Sequence, residues 1–111
     1  MQFIPPKRLR EANLQAELYC RLKELNIPCY LEYSFHLIGS SKRPRADAAI
    51  YKNGKVVCLV EVKSRMNPFR TNWQSKQLQK YRATGLYTIV CDNFNFEESI
   101  AKITELYDNF V

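Results

Sequence analysis

An α/β domain with a mixed sheet flanked by helices is predicted by three features of this 111-residue sequence. Residues 9–26 contain neither Gly nor Pro and space leucines at helical intervals. An Asn-Gly pair separates two apolar, β-rich segments, and a further short apolar segment follows a stretch of helical composition that ends at a glycine. The resulting order is α-β-β-β-α-β-α.

In the first helix, Leu14, Leu18, Leu22 and Leu25 form one apolar face, and the helix stops before Pro28. Cys29 to Ile38 is rich in aromatic and branched residues in rough alternation, which reads as a first strand. Gly39-Ser40-Ser41-Lys42-Arg43-Pro44 then forms a basic loop. Arg45 to Tyr51 and Val56 to Lys63 flank Lys52-Asn53-Gly54-Lys55. Asn-Gly suits a type I′ turn, which needs positive φ at both central positions, so these strands pair as a hairpin. A loop with Asn67-Pro68 leads into a second helix, Trp73 to Thr84, capped by Gly85. Leu86 to Cys91 is a short apolar strand, and Phe96 to Phe110 is a closing acidic helix with Ile100, Ile103, Leu106 and Tyr107 on one face. No repeat or low-complexity linker divides residues 1–111, so a single domain is expected.

A hydrophobic content of 46% excludes a disordered chain. The longest near-apolar run, Val56 to Val60, is too short to cross a bilayer. The opening residues Met1-Gln2-Phe3-Ile4-Pro5-Pro6 lack the pattern of a secretory signal, so a cytoplasmic location and no membrane partner are expected. Cys20, Cys29, Cys58 and Cys91 form no C-x-x-C, and His36 is the only histidine. That pattern argues against zinc and a disulfide framework and for reduced, mostly buried thiols. The net charge of +6 is unevenly spread: +1 over residues 1–39, +9 over 40–82 and −4 over 83–111. A localised basic field suits a polyanion, because each cation that neutralises a phosphate releases counterions.

The chemistry-bearing residues lie in that basic segment. Strand periodicity puts Glu61 and Lys63 on one face of their strand and Val60 and Val62 on the other. Asp47 stands between Ala46 and Ala48 on the partner strand, so two carboxylates and an ammonium are expected in a partly buried place. Such burial is costly unless the groups pair or hold a metal. Two hard oxygen ligands on adjacent strands suit Mg²⁺ and phosphodiester hydrolysis, with no small-molecule cofactor. Lys63 is then a group that orients or deprotonates water, or stabilises the transition state. A surface salt-bridge patch explains the same triplet equally well.

Glu11 falls on the leucine face of the first helix and Glu17 at its border, which makes Glu11 the candidate third acid; a favourable position in the helix dipole is the other explanation. Gln77 and Tyr81, at i and i+4, project from one face of the second helix to order water or phosphate, or form an ordinary polar rim. Lys42, Arg43, Arg45, Arg65, Arg70, Lys76 and Lys80 are the candidate phosphate contacts. Trp73 either stacks on a base or anchors its helix. Tyr107 and Phe110 mark a homodimer surface or, more commonly for such a stripe, pack into the core.

Together, Asp47, the Glu61-Val62-Lys63 run on an Asn-Gly hairpin, a glutamate on the preceding helix and the Gln77-x-x-x-Tyr81 helix resemble the PD-(D/E)XK nuclease superfamily. This is the restriction-endonuclease-like fold of Holliday-junction resolvases, VRR-NUC domains and RecB-type nucleases. The resemblance covers roughly residues 11–92. It implies an α-β-β-β-α-β core, here with an added C-terminal helix, and Mg²⁺- or Mn²⁺-dependent cleavage of DNA. By this resemblance Asp47 is the motif aspartate, Glu61 the second acid, Lys63 the lysine and Glu11 the helix glutamate, with the three acids as metal ligands. Gln77 and Tyr81 resemble the Q-x-x-x-Y helix of the RecB-like branch. Ala46 stands where a proline often precedes the aspartate. The expected activity is a DNA endonuclease, structure-selective toward junctions, flaps or nicks; the alternative is a catalytically silent nucleic-acid-binding or assembly module.

Overall fold

The computed structural model describes residues 10–34, 45–63 and 85–111, which form two helices and a four-stranded mixed sheet. In chain order these are α1 (Glu11–Glu24), β1 (Cys29–Ser34), β2 (Arg45–Lys52), β3 (Lys55–Val62), β4 (Tyr87–Cys91) and α2 (Phe96–Asn109). The strands lie in the order β1-β2-β3-β4, the first three antiparallel and β4 parallel to β3. The α/β class and the mixed sheet agree with the sequence. The helix expected over residues 73–84, the end of the first expected strand and the two basic loops lie outside the described residues.

α1 forms because its apolar residues recur every turn: Leu14, Leu18 and Leu22 are buried against Ala48, Ile50, Val60 and Val62. Each such leucine contributes about 1.5–3 kcal/mol by leaving water. Leu25, expected on the same face, is exposed, because the helix has ended and Leu25 is its C-cap. Asn26 takes φ +59°, its N–H donating to Lys23 O at 3.0 Å while Ile27 N–H donates to Leu22 O at 2.9 Å. This is a Schellman ending, with Ile27 buried beside Leu22 as its apolar contact.

The Asn53-Gly54 turn takes the form expected of it, with φ +55° and +76°. One irregularity was not expected: the β2–β3 register shifts between Ile50 and Tyr51, so β3 carries an extra residue near the turn. Gly85 has a left-handed φ of +74°, and the helix it was expected to cap lies outside the described residues.

α2 covers the same face of the sheet as α1. Ile100 and Ile103 are buried there, with Leu106, Tyr107 and Phe110 packed against the cluster, so Tyr107 and Phe110 belong at least partly to the core. Arg21 of α1 and Glu97 of α2 join the helices through two charged hydrogen bonds, at 2.6 and 2.8 Å. Lys52 at the end of β2 donates to the C-terminal carbonyl of Tyr107 at 2.7 Å and lies over the Tyr107 ring. The opposite face carries a smaller cluster, Ala46, Ala49 and Leu59 with Tyr33, Tyr51, Val56 and Leu86.

Of the four thiols, Cys58 and Cys91 are buried and Cys29 half-buried, but Cys20 is exposed, because it points from α1 away from the leucine stripe. Among the described residues no helix is long and apolar enough to cross a membrane.

Candidate active site

Alternation along β3 divides its end in two. Val60 and Val62 enter the core beneath α1, which sends Glu61 and Lys63 to the other face. There Lys63 Nζ lies 2.9 Å from Glu61 Oε1, with the two side chains 13% and 7% exposed. A carboxylate this deeply buried demands a counter-charge, and a neighbour two residues along the same strand supplies it.

Asp47 reaches this pair through a break in the sheet. It is the one residue of β2 with no partner in either ladder: pairing with β1 skips from Leu31–Ala48 to Tyr33–Ala46, and pairing with β3 stops at Ala48–Val60. The β1 residue passed over is Glu32, whose φ of +53° is the left-handed region that disfavours a side chain. Side-chain bonds replace the ladder at this row. Asp47 Oδ2 accepts a 2.7 Å hydrogen bond from the Val62 amide, the amide between Glu61 and Lys63. Gln15 of α1 donates from Nε2 to the Asp47 carbonyl, also at 2.7 Å. Asp47 is half-buried and Glu61 buried: the Asp47 carboxylate bonds to the Val62 main chain, and the Glu61 side chain to that of Lys63.

β4 supports β3 where β2 lets go. Glu61 pairs with Val90 and Val62 with Cys91, and Lys63 N–H donates to Cys91 O at 2.9 Å. A closed turn follows at once. Buried Asp92 accepts from the amides of Phe94 and Asn95 at 2.8 and 2.7 Å, and the Asn95 side chain accepts from Asp92 N–H and donates to Val90 O. This Asx turn fixes the end of β4 beside Lys63.

Two carboxylates on neighbouring strands, both hard oxygen donors, fit a hard divalent cation, which takes one or two protein carboxylates and completes its shell with water and phosphate. Among the described residues no group of three or more His, Cys, Asp and Glu side chains converges to hold a metal, so that fit rests on Asp47 and Glu61. Glu11 is exposed, although its angle on the helix wheel is on the leucine side. The reason is axial: Glu11 is the first residue of α1, and burial begins three residues later at Leu14. Glu17 is exposed as well.

Arg45 is exposed at the start of β2, with Nη1 4.0 Å from Glu32 Oε2. Gln77, Tyr81, Lys42, Arg43, Arg65, Arg70, Lys76, Lys80, Trp73 and His36 lie outside the described residues. Burial pushes the thiol of Cys91 up to about 11 and that of Cys58 to about 12, which keeps both protonated at neutral pH.

Gln15 and the Asp92–Asn95 turn were missed from sequence. Asp92-Asn93-Phe94-Asn95 has the composition of a turn, which is the signal for it in the sequence. Gln15 offered only a weaker sign, a polar residue at the edge of the leucine stripe. Compared with known proteins, the chain matches no family model, no curated protein and no solved structure.

Proposed function

We propose that this chain is a divalent-metal-dependent nuclease of the PD-(D/E)XK type that cuts DNA, with Asp47, Glu61 and Lys63 as its active centre. The observation that carries the reading is the Asp47 carboxylate bonded at 2.7 Å to the amide between Glu61 and Lys63. The four-stranded mixed sheet that follows α1 is compatible with that reading.

In this reading Asp47 and Glu61 supply the oxygen ligands for Mg²⁺ or Mn²⁺. When bound, such an ion supplies Lewis-acid polarisation and neutralises charge on the phosphate. The Lys63 ammonium stands beside Glu61 to meet negative charge that develops as the phosphodiester is attacked. Gln77 and Tyr81 are the further residues proposed for the site, and the metal ligation rests on Asp47 and Glu61. The basic segment, including Arg45, grips the phosphate backbone in a salt-dependent way.

A second reading is favoured by the Glu61–Lys63 ion pair itself, which neutralises the buried acid without a metal. On that reading the chain is a nucleic-acid-binding or assembly module on the same fold. Branched, nicked, linear and single-stranded DNA incubated with Mg²⁺ or Mn²⁺ separates the two. Metal-dependent cleavage that disappears in Asp47→Asn, and in a Lys63→Met shown by thermal unfolding to be folded at the assay temperature, supports the nuclease. Equal cleavage by wild type and both variants sinks the site, and binding without cutting favours the module.

A further inference from the structure

We propose that Gln15 is a positioning residue for this site, holding the Asp47 main chain so that its carboxylate meets the Val62 amide beside Glu61 and Lys63. The inference rests on the nuclease reading for its consequence, and on geometry alone for its cause.

Three observations converge on the same row of the sheet. Asp47 is skipped by both ladders of β2. Glu32, the residue across from it in β1, has left the extended region at φ +53°. The two bonds that hold Asp47 then come from different directions: Gln15 Nε2 to its carbonyl and the Val62 amide to its Oδ2, both at 2.7 Å. In a regular strand the ladder fixes the peptide plane and with it the direction of Cβ. At Asp47 that constraint is absent, and the peptide can turn unless another group holds its carbonyl. Gln15 is that group, and α1 is a firm base for it, since Leu14 and Leu18 on either side are buried against the sheet.

Chemistry selects an uncharged amide for this task. A carbonyl needs a donor, and a glutamate in place of Gln15 would offer only acceptors while adding a third negative charge close to Asp47. A lysine offers donors at similar reach. The contribution of α1 to the site is thus a main-chain clamp acting through Asp47, distinct from any ligand role of Glu11. Partners that orient a metal ligand typically change metal affinity or activity by about 10–100-fold when removed.

The test uses Gln15→Met, Gln15→Glu and Gln15→Lys in the full chain, each first checked by thermal unfolding. Amide hydrogen exchange reads the cause. Exchange at Val62 N–H should speed up about tenfold or more in Gln15→Met, equivalent to about 1.4 kcal/mol. Lys63 N–H, whose partner is Cys91 O on β4, should hold its rate. Mn²⁺ binding without DNA, followed by electron paramagnetic resonance, reads the consequence: affinity should fall about 10–100-fold in Gln15→Met and Gln15→Glu and recover in Gln15→Lys. Unchanged Val62 exchange in a folded Gln15→Met overturns the positioning role, whatever the metal does. If wild type neither binds Mn²⁺ nor cuts DNA, the nuclease reading fails, and the exchange result still decides for or against the role of Gln15.

Discussion

At its turn, the β2–β3 hairpin is held by its own backbone, whereas at its open end it is held by side chains sent from elsewhere. The turn end has the Asn53-Gly54 pair in left-handed conformation and strand pairs up to Lys52–Lys55. The open end has a skipped row, a carboxylate on an amide, an ion pair and a glutamine from α1. A backbone ladder tolerates many sequences, while a side-chain lattice depends on each residue in it. The difference teaches that the open end is organised around particular chemical groups, which is where a site is expected to violate local rules.

The largest predicted effect comes from breaking the open end at its ion pair. Lys63→Met leaves the Glu61 carboxylate buried and should lower unfolding free energy by about 3–5 kcal/mol in urea titration, with Glu61→Gln added to it restoring most of the loss. If Lys63→Met alone is neutral, the pair is not the anchor of that end. Next, alkaline pH should weaken the packing of β3 and β4 around the buried thiols of Cys58 and Cys91. Burial raises the Cys58 thiol to about 12 and the Cys91 thiol to about 11 in the folded chain, above an unfolded value of roughly 8.5. Their contribution is therefore complete below about pH 8.5 and lost as pH rises through about 11–12. Unfolding curves collected between pH 8 and 12 should show it, and Cys58→Ala should flatten the pH dependence.

Asp47→Ala strips the acceptor from the Val62 amide and should cost about 1–3 kcal/mol, with Asp47→Asn costing less because an amide oxygen remains. At the turn, Gly54→Ala forces a Cβ into φ +76° and should cost about 1–2 kcal/mol in the same urea assay. A cost there larger than that of Lys63→Met would reverse the comparison. The smallest effect belongs to Lys52→Met, which removes a cation from the end of α2 and should shift stability by about 0.3–1 kcal/mol, less at high salt.

Legibility in the sequence follows the same divide. The turn end could be read because Asn53-Gly54 is a local signal, and α1 because Leu14, Leu18 and Leu22 repeat with the helix period. The triplet Asp47, Glu61 and Lys63 could be read because charge interrupts apolar strands. The skipped row at Asp47, the left-handed Glu32 and the Gln15 bond could not, since each depends on how three separate elements meet. The exposure of Glu11 escaped for a related reason: a helical wheel gives angle, but not where along its axis a helix leaves the sheet.

The parallel pairing of β3 with β4 has a kinetic consequence. The hairpin closes over a two-residue turn, while the first β3–β4 pair, Cys58 with Tyr87, joins residues 29 apart. Closing a long loop spends chain entropy before its contacts form, so the hairpin is the early structure and β4 the late one. Lys63 N–H bonds to β4, and the turn after Cys91 abuts it. The acids therefore sit on strands that pair early, whereas the lysine's main chain is fixed only at the last docking step. Assembly of the charged end thus reports completion of the fold.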